Sequence, residues 1–248
     1  MFVYQSNGRV VILLLYVDDI VLTDNDSRFV EEFIVTLGTR FAMKDLGPLH
    51  YFLGIEVTST PQGLFLSQDK YAADILRRAH MVDIKPTATP MALRLDLAST
   101  DPFPDITLYG CLVGALQYLT MTRSDLSYAV NSVCQHMHAP NMAHFGMVKR
   151  ILRYVHGTLD QGLYIVRNSS LDLYAFSDSD WADCPLTRCS TTGFCTFLGS
   201  NCISWSAKKQ PTIARSSTEA EYRAMASTTA ELTWLTFLYG ILVFPSLA

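Results

Sequence analysis

The chain has 248 residues, 49% of them hydrophobic and 17% charged, and its formal net charge is −4. This composition predicts a folded protein with one large or two modest domains, and it excludes a disordered chain. The acidic balance argues against a free-standing nucleic-acid-binding domain, because such domains usually carry a basic excess.

The first element is a strand pair around an acidic dipeptide. Two apolar, β-prone runs, Val10–Val17 and Ile20–Leu22, flank Asp18 and Asp19. The pattern predicts two buried strands with the acidic pair at the tip of a hairpin. Neighbouring carboxylates repel each other unless a cation lies between them, and oxygen ligands suit Mg²⁺ or Mn²⁺. An ordinary solvated turn is the alternative, but the apolar arms favour a metal site.

The run Tyr16-Val17-Asp18-Asp19 resembles the palm motif of reverse transcriptases, and its surroundings are similar to copia-type LTR retrotransposon polyproteins. The resemblance implies that Asp18 and Asp19 are catalytic metal ligands and that Tyr16 contacts nucleic acid. In that family a further Asp from an upstream strand completes the site. No Asp or Glu precedes Asp18 in this sequence, so we expect the metal site to be incomplete.

A helix over 25–41 and a strand pair within Leu46–Ser67 are predicted next, the latter with a turn at Pro61–Gly63. The run Phe52–Val57 resembles the hairpin that holds the primer end in reverse transcriptases. A strand glycine permits close approach of another backbone, and the resemblance therefore makes Gly54 a nucleic-acid contact. A plain hairpin with a bulge at Gly54 is the alternative.

The middle of the chain is predicted to be helical on both sides of a linker. Asp69–His80 has helical periodicity, the Pro- and Thr-rich segment 85–106 is predicted as a linker, and three helices are expected between Thr107 and His156. The third of these helices has a basic face that could follow a phosphate backbone or could simply be solvated. That face consists of Lys149, Arg150 and Arg153.

Cys134, His136, His138 and His144 invite a zinc hypothesis. Their spacing fits no familiar zinc pattern, and the sequence has no second cysteine nearby. More generally, the six cysteines form no C-x-x-C pair and the N-terminus has no signal peptide. We therefore expect reduced thiols and an intracellular protein, either cytoplasmic or nuclear.

The last block predicts strand, strand, strand and helix. Strands are expected from Leu171 to the acidic run, over Thr192–Leu198 and over Asn201–Ser206. An extended basic segment with Lys208 and Lys209 follows, predicted to contact nucleic acid. A capping box of Ser216 and Glu219 opens a helix from about Thr218 to Leu238.

The runs SDSDWA and SSTEAEYRA resemble RNase H motifs of copia-type polyproteins. The resemblance implies that Asp178 on the first strand and Glu221 on the helix are catalytic metal ligands, with Asp180 and Glu219 ranked second. Hydrolysis of a phosphodiester with two metal ions needs several converging carboxylates. No acidic residue follows Glu231, so this site is also expected to be incomplete.

Together these patterns predict an α+β protein: a reverse-transcriptase palm–thumb–connection fragment followed by a truncated RNase H-like α/β domain. The expected parts are residues 1–84 (palm hairpin and primer-grip or thumb part), 85–106 (linker), 107–170 (helical connection) and 171–248 (partial RNase H-like domain). The resemblance implies Mg²⁺ or Mn²⁺, no small-molecule cofactor, and an RNA template, a DNA primer and RNA–DNA hybrid as partners of the intact polyprotein.

We expect the chain alone to be inactive in both reactions, because each metal site lacks carboxylates. One alternative is a non-catalytic nucleic-acid-binding remnant. Another is a tail-anchored structural protein, because Leu232–Ala248 contains no charged residue. Gly240 and Pro245 weaken a helical span, so membrane association is not expected.

Overall fold

The structure is a computed structural model that describes residues 1–6, 9–25, 27–92, 99–184 and 186–243. The chain forms two compact units. The first contains Met1–Leu53 and the chain from Thr233 onwards, and the second contains Gly54–Leu232. The four-part division expected from the sequence stays a prediction, and residues 93–98 of its linker lie outside the described residues.

The first unit contains a three-stranded antiparallel sheet in the order β1-β2-β3. Its strands are β1 (Phe2–Ser6), β2 (Arg9–Tyr16) and β3 (Asp19–Asp24), and α1 (Ser27–Arg40) follows and packs on β3. The hairpin is confirmed, because β2 pairs with β3 from Val11↔Asp24 to Tyr16↔Asp19. β1 has no counterpart in the sequence prediction.

The predicted burial of the two hairpin strands is wrong. Only Val11 is buried among the described residues of β2 and β3, and Leu15 at the far end of β2 is 46% exposed. A three-stranded sheet has two faces, and the contacts of α1 with it include β3 and Arg9 at the start of β2, whose guanidinium lies over the Phe29 ring. The apolar side chains near the tip therefore remain accessible.

A short β4 (Tyr51–Phe52) precedes the second unit, which begins with β5 (Ile55–Thr60) and β6 (Gly63–Ser67). β5 and β6 form the predicted hairpin, with its turn between Thr60 and Gly63. Helix α2 (Asp69–Arg78) follows. Gly54 does not lie in a strand: Leu53 and Gly54 form a turn in which both have positive φ, 48° and 73°. The bulge proposed at Gly54 is therefore replaced by a turn.

Helices form the hydrophobic core of the second unit. The three predicted helices are confirmed as α3 (Ile106–Leu119), α4 (Ser127–Cys134) and α5 (Met142–His156), with a 3₁₀ turn at Ser124–Leu126. Their apolar faces and that of α2 share one buried cluster, which includes Ile75, Leu116 and Leu152. Burial of large aliphatic side chains drives this packing, at about 1.5–3 kcal/mol for each.

An arginine inside the core anchors the loop after α3. Arg123 is 3% exposed and donates two hydrogen bonds to the Asp125 carboxylate, at 2.9 and 2.8 Å. It also donates to the carbonyl and the hydroxyl of Thr158, both at 2.8 Å. Its guanidinium lies over the Tyr154 ring. A buried charge is tolerated only with such complete pairing, so this network fixes α3, α5 and the loops that follow them.

The second unit continues with β7 (Leu163–Val166), which pairs antiparallel with β6 and was not predicted within the helical connection. A separate three-stranded antiparallel sheet follows, in the order β10-β9-β8. Its strands are β8 (Leu173–Asp180), β9 (Thr191–Leu198) and β10 (Asn201–Lys209). Helix α6 (Ser217–Val243) ends the described chain. The predicted order of three strands and a helix is therefore confirmed, with β10 and α6 longer than expected.

Among the described helices, including the described part of α6, no helix is both long enough and apolar enough to span a membrane. The six cysteines all lie within the described ranges, and none of them forms a disulfide bond.

Candidate functional site

The acidic pair lies at the tip of the β2–β3 hairpin, as predicted. Tyr16 and Asp19 are register partners, so Val17 and Asp18 form a two-residue turn. Both carboxylates are exposed, and Tyr16 is 56% exposed beside them. Val17 has φ of 49°, a conformation that β-branched residues rarely adopt. The turn therefore projects Asp18 and Asp19 into solvent at a point of local backbone strain.

The hairpin offers only part of a donor set for a divalent metal ion. Mg²⁺ and Mn²⁺ prefer about six oxygen ligands, of which proteins usually supply one or two carboxylates. Asp18 and Asp19 can supply these oxygens, but within the described ranges no three His, Cys, Asp or Glu side chains are grouped so that they could hold a metal ion. The pair is compatible with a metal ion that takes its other ligands elsewhere.

The second predicted carboxylate set lies on β8 and α6. Asp178 and Asp180 alternate with buried Ser179, so both project from the same exposed face of β8. Glu221 lies in the second turn of α6 and is half-buried. Within the described part of the chain, Asp178, Asp180 and Glu221 do not form a group of three side chains that could hold a metal ion. Their role as metal ligands stays a prediction.

The start of α6 is fixed by the predicted Ser216–Glu219 pair. The Ser216 hydroxyl accepts the N–H of Glu219 at 3.1 Å. The Glu219 carboxylate accepts the N–H of Arg215 at 2.7 Å, one residue before the position that a standard capping box uses. This hydrogen bond, together with the nearby charge of Arg223, lowers the pKa of Glu219. Glu219 is thus engaged in capping, which agrees with its second rank as a site residue.

Gln210, which the sequence did not single out, connects the elements that carry Asp178 and Glu221. Its side chain is 5% exposed, and its Nε2 atom lies within hydrogen-bonding distance of the Ser179 and Thr192 hydroxyls and the Ala220 carbonyl. Ser179 neighbours Asp178, and Ala220 neighbours Glu221. Gln210 therefore sets the distance between β8 and the first turn of α6.

Tyr128 on α4 is a second residue that the sequence did not indicate. Its hydroxyl donates to Asp183 Oδ2 at 3.0 Å. Burial raises the pKa of Tyr128, and the carboxylates of Asp183 and Asp180 raise it further. Tyr128 therefore stays protonated and acts as a donor between two acidic residues near the end of β8. A tyrosine in a helix pattern gives no local signal for such a contact, because its partner lies 55 residues away.

The glycine predicted to approach nucleic acid closely has an internal neighbour. A Cβ atom at Gly54 would lie 3.2 Å from the Tyr118 hydroxyl and 3.4 Å from its ring. Tyr118 in turn packs edge-on against Tyr71, with ring centroids 5.1 Å apart. Both the positive φ and this packing explain the glycine locally, and a contact between Gly54 and nucleic acid stays a prediction.

The predicted basic face of α5 is largely turned towards the protein. Arg150 donates to the Thr89 hydroxyl at 2.8 Å, and Arg153 donates to the Lys85 carbonyl at 2.8 Å. These two arginines hold the described start of the linker against α5. Lys149 is exposed, with its ammonium 4.9 Å from the Phe145 ring centroid. Of the three, Lys149 is the exposed one, and its contact with phosphate stays a prediction.

Lys208 and Lys209 are the last two residues of strand β10 and do not belong to a separate segment after the strand. Lys208 is exposed, whereas the Lys209 ammonium lies 3.1 Å from the Cys184 sulfur. Burial alone would raise the pKa of Cys184, but hydrogen bonds from Thr187 and Lys209 outweigh it and lower the pKa to about 7. Lys209 is therefore engaged with the Cys184 sulfur.

The histidines of the zinc hypothesis form a stacked pair. The rings of His136 and His144 are 3.5 Å apart between centroids and nearly parallel. His144 Nδ1 accepts the N–H of Asn141, which completes the N-terminal cap of α5. Burial and the neighbouring His144 lower the pKa of His136 to about 4, and burial lowers the pKa of His144. Since the described residues form no metal-binding group here, this pair is better explained by packing and capping.

Comparisons with known proteins agree with the motif at the hairpin. Residues 1–93 match the family described as reverse transcriptase (RNA-dependent DNA polymerase). An uncharacterized mitochondrial protein of Arabidopsis thaliana is 60% identical over 223 residues, which cover 90% of this chain and 93% of that protein.

Two retrovirus-related Pol polyproteins of the same plant, from transposons RE2 and RE1, are 48% and 46% identical over 237 residues. These matches cover 95% of this chain but 16% of each polyprotein. No solved structure matches the chain.

Proposed function

Because the chain belongs to the copia-type retrotransposon Pol family, we propose that it forms the part of such a polyprotein that carries the palm hairpin of the reverse transcriptase and the beginning of an RNase H-like unit. Asp18 and Asp19 are the metal-binding carboxylates of the polymerase site. Asp178 and Glu221 are the corresponding carboxylates of the RNase H site. An RNA template, a DNA primer and RNA–DNA hybrid are the partners of the intact polyprotein.

The observation that carries the proposal is the geometry of the hairpin tip. Two adjacent carboxylates project into solvent from a two-residue turn, inside the segment that matches reverse transcriptases. A non-glycine residue in the left-handed region costs about 1–2 kcal/mol, and such strain is concentrated at functional sites. An ordinary solvated turn would be expected to have Asn or Gly at position 17, where this chain has the β-branched Val17.

The order of elements supports the RNase H part of the proposal. Three antiparallel strands and a helix follow one another, with Asp178 on the first strand and Glu221 on the helix. Gln210 links these elements through buried hydrogen bonds and so gives the two carboxylates a fixed relation. Preorganised charge is the main contribution that a protein makes to phosphoryl transfer.

Reverse transcriptases generally use divalent metal ions, which activate the attacking oxygen and neutralise charge on the phosphate. In this chain Asp18 and Asp19 would hold such an ion together with ligands from other parts of the polyprotein. We therefore propose that the chain alone catalyses neither polymerisation nor efficient cleavage of RNA in a hybrid.

The test is to exchange this chain for the matching segment of the RE2 polyprotein, in which 237 residues align at 48% identity. Templated DNA synthesis and hydrolysis of hybrid RNA are then measured on the same purified chimera. Asp18→Asn and Asp19→Asn should abolish synthesis and leave RNA hydrolysis intact. Asp178→Asn and Glu221→Gln should do the reverse. Asp83→Asn, at an exposed position outside both sites, is the matched control.

An active chimera whose synthesis survives Asp18→Asn would overturn the polymerase assignment. Hydrolysis that survives both Asp178→Asn and Glu221→Gln would overturn the RNase H assignment. Templated synthesis by the isolated chain, lost on Asp18→Asn, would overturn the proposal that this chain depends on the rest of the polyprotein.

A further inference from the structure

The turn between β8 and β9 places two cysteines opposite each other. Cys184 and Cys189 are separated by four residues in the sequence. The Cys184 N–H donates to the Cys189 carbonyl at 3.3 Å, and the Arg188 N–H donates to the Cys184 carbonyl at 2.8 Å. Arg188 has φ of 54°, and a residue in this left-handed conformation commonly closes such a turn. The two cysteines therefore lie at the base of a tight hairpin.

This arrangement is compatible with a disulfide bond. Opposed residues that are joined by antiparallel backbone hydrogen bonds have Cα atoms about 5.5 Å apart, and their side chains lie on the same face. A disulfide bond needs Cα atoms about 4.4–6.8 Å apart. Both thiols are reduced in the structure. The backbone of the turn therefore already has the spacing that the oxidised pair needs.

The register of the sheet supports the same conclusion for the side chains. Thr191 and Lys209 are register partners, and the backbone of Ser190 continues this pairing towards the turn. Cys189 lies two residues before Thr191 and so faces the same way as Lys209. The Lys209 ammonium lies 3.1 Å from the Cys184 sulfur. Both cysteines therefore lie on the face of the sheet that carries Lys209.

The two thiols have different surroundings, which give them different roles. Cys184 is half-buried. Burial alone would raise its pKa, but hydrogen bonds from Thr187 and Lys209 lower the pKa to about 7, so that much of this thiol is ionised at neutral pH. Cys189 is 8% exposed. Since oxidants react with an accessible thiolate, Cys184 is the thiol that reacts first, and Cys189 is the sheltered thiol beside it.

We propose that Cys184 and Cys189 form a site of modification by peroxide, at which oxidation creates a disulfide bond across the base of the turn. The Cys184 thiolate attacks one oxygen of hydrogen peroxide. An S–O bond forms, the O–O bond breaks and hydroxide leaves, so that the sulfur is oxidised to sulfenic acid while the peroxide is reduced.

In the second step the Cys189 thiol attacks the Cys184 sulfur. The S–S bond forms, the S–O bond breaks, and the proton of Cys189 leaves with the hydroxyl group as water. In sum, two thiols and one molecule of hydrogen peroxide give one disulfide and two molecules of water. This site is independent of the proposed function, because neither step uses the carboxylates assigned to the polymerase and RNase H sites.

The test is to treat the reduced full chain with hydrogen peroxide at neutral pH, block the remaining thiols and analyse the peptides without reduction by mass spectrometry. Trypsin cleaves after Arg188, so the oxidised pair appears as two linked peptides. Fragmentation distinguishes a bond to Cys189 from a bond to Cys195 or Cys202. The Cys184–Cys189 bond should form before the exposed Cys111 is oxidised.

Two cysteine variants separate the two steps. Cys189→Ser should stop the reaction at the sulfenic acid of Cys184, which dimedone traps. Cys184→Ser should leave Cys189 reduced under the same treatment, because the thiol that reacts first is gone. Cys111→Ser is the matched control and should form the bond as the parent chain does.

Two lysine variants test the role of the ammonium. Lys209→Met should slow the loss of the Cys184 thiol about threefold at neutral pH, because the smaller thiolate fraction is partly offset by the greater nucleophilicity of a thiolate with a higher pKa. Lys208→Met, at the exposed neighbouring position, is the matched control and should not change the rate. Circular dichroism of each variant verifies that the chain has kept its fold.

The proposal is overturned if peroxide forms no bond between Cys184 and Cys189, including the case in which the sulfenic acid of Cys184 persists in the parent chain. Oxidation of Cys111 ahead of Cys184, or an equal rate in folded Lys209→Met and Lys208→Met, would contradict the assignment of Cys184 as the reactive thiol. Each of these results leaves the proposed function unaffected, because that function is tested by the activities of the chimera.

Discussion

Arg123 is the residue on which the stability of the second unit is expected to depend most sharply. Its guanidinium is almost completely buried and makes four hydrogen bonds, two to Asp125 and two to Thr158. We predict that Arg123→Met, which keeps much of the volume but removes the charge and all donors, strongly lowers the free energy of unfolding.

The magnitude follows from the burial of the two partners. Removal of one member of a buried ion pair costs about 3–5 kcal/mol, mostly because the other charge is left uncompensated. Here the Asp125 side chain is 35% exposed, so water can partly replace the guanidinium. The Thr158 carbonyl also loses its donor, at a cost of about 1 kcal/mol or more. We expect a total loss of about 3 kcal/mol, at the lower end of the range.

Urea unfolding followed by circular dichroism measures this loss, and Arg77→Met is the matched control. Arg77 also pairs with an aspartate, Asp74, but it is 64% exposed. Its removal should change the free energy of unfolding by no more than about 0.5 kcal/mol. If Arg123→Met costs less than about 1 kcal/mol, or no more than the control, the reasoning from burial is refuted.

The Asp125 carboxyl adds a pH dependence to the same network. Burial alone would raise its pKa, but hydrogen bonds and the charge of Arg123 outweigh burial and hold the pKa below its usual value. The unfolded chain therefore binds this proton more readily than the folded chain. The contribution of the pair should be complete above the ordinary carboxyl range and lost as the pH falls through the folded-state pKa. Arg123→Met should remove this acid sensitivity.

The remaining predictions concern three other polar contacts. The stacked His136 and His144 have lowered pKa values in the folded chain, about 4 for His136. As the pH falls below about 6.5, the unfolded chain therefore binds protons that the folded chain does not bind, and the free energy of unfolding decreases. Urea unfolding should show a loss of about 1–2 kcal/mol between pH 7 and pH 5, smaller in His136→Phe. Gln210→Leu should cost about 2 kcal/mol in the same assay, because the two N–H donors of its amide are shared among three buried oxygens, which lose them. Lys209→Met should raise the pKa of Cys184 above about 7 and slow its alkylation by iodoacetamide at neutral pH severalfold, as measured by peptide mass spectrometry.

The local periodicity of apolar residues was sufficient to predict most of the order of strands and helices. The hairpin around the acidic pair, the three core helices and the final strands and helix all follow from patterns with periods of 2 or 3.6 residues. β7 was missed because its four residues carry little pattern of their own. Its pairing partner β6 lies about 100 residues earlier, with Gly63 opposite Val166. Such long-range pairing cannot be inferred from a local window.

The same limit applies to the candidate site. Motifs predict the carboxylates at 18, 19, 178 and 221 as site residues, because each motif is a run of adjacent residues, and their roles stay predictions. The contacts that hold the neighbouring elements in place are not encoded in this way. Gln210 reaches Ser179, 31 residues away, and Tyr128 reaches Asp183, 55 residues away. Burial was also misjudged at the hairpin, because an apolar run shows that a strand can be covered but not that it is.

The arrangement of positive charge constrains how this chain can contact nucleic acid. Of the five basic residues predicted to do so, Arg150, Arg153 and Lys209 are engaged by protein atoms, and Lys149 and Lys208 are exposed. Phosphate neutralisation usually supplies most of the affinity for nucleic acid, and a net charge of −4 opposes it. Contacts of this chain with nucleic acid should therefore depend more on bases and on the rest of the polyprotein than on its own lysines and arginines.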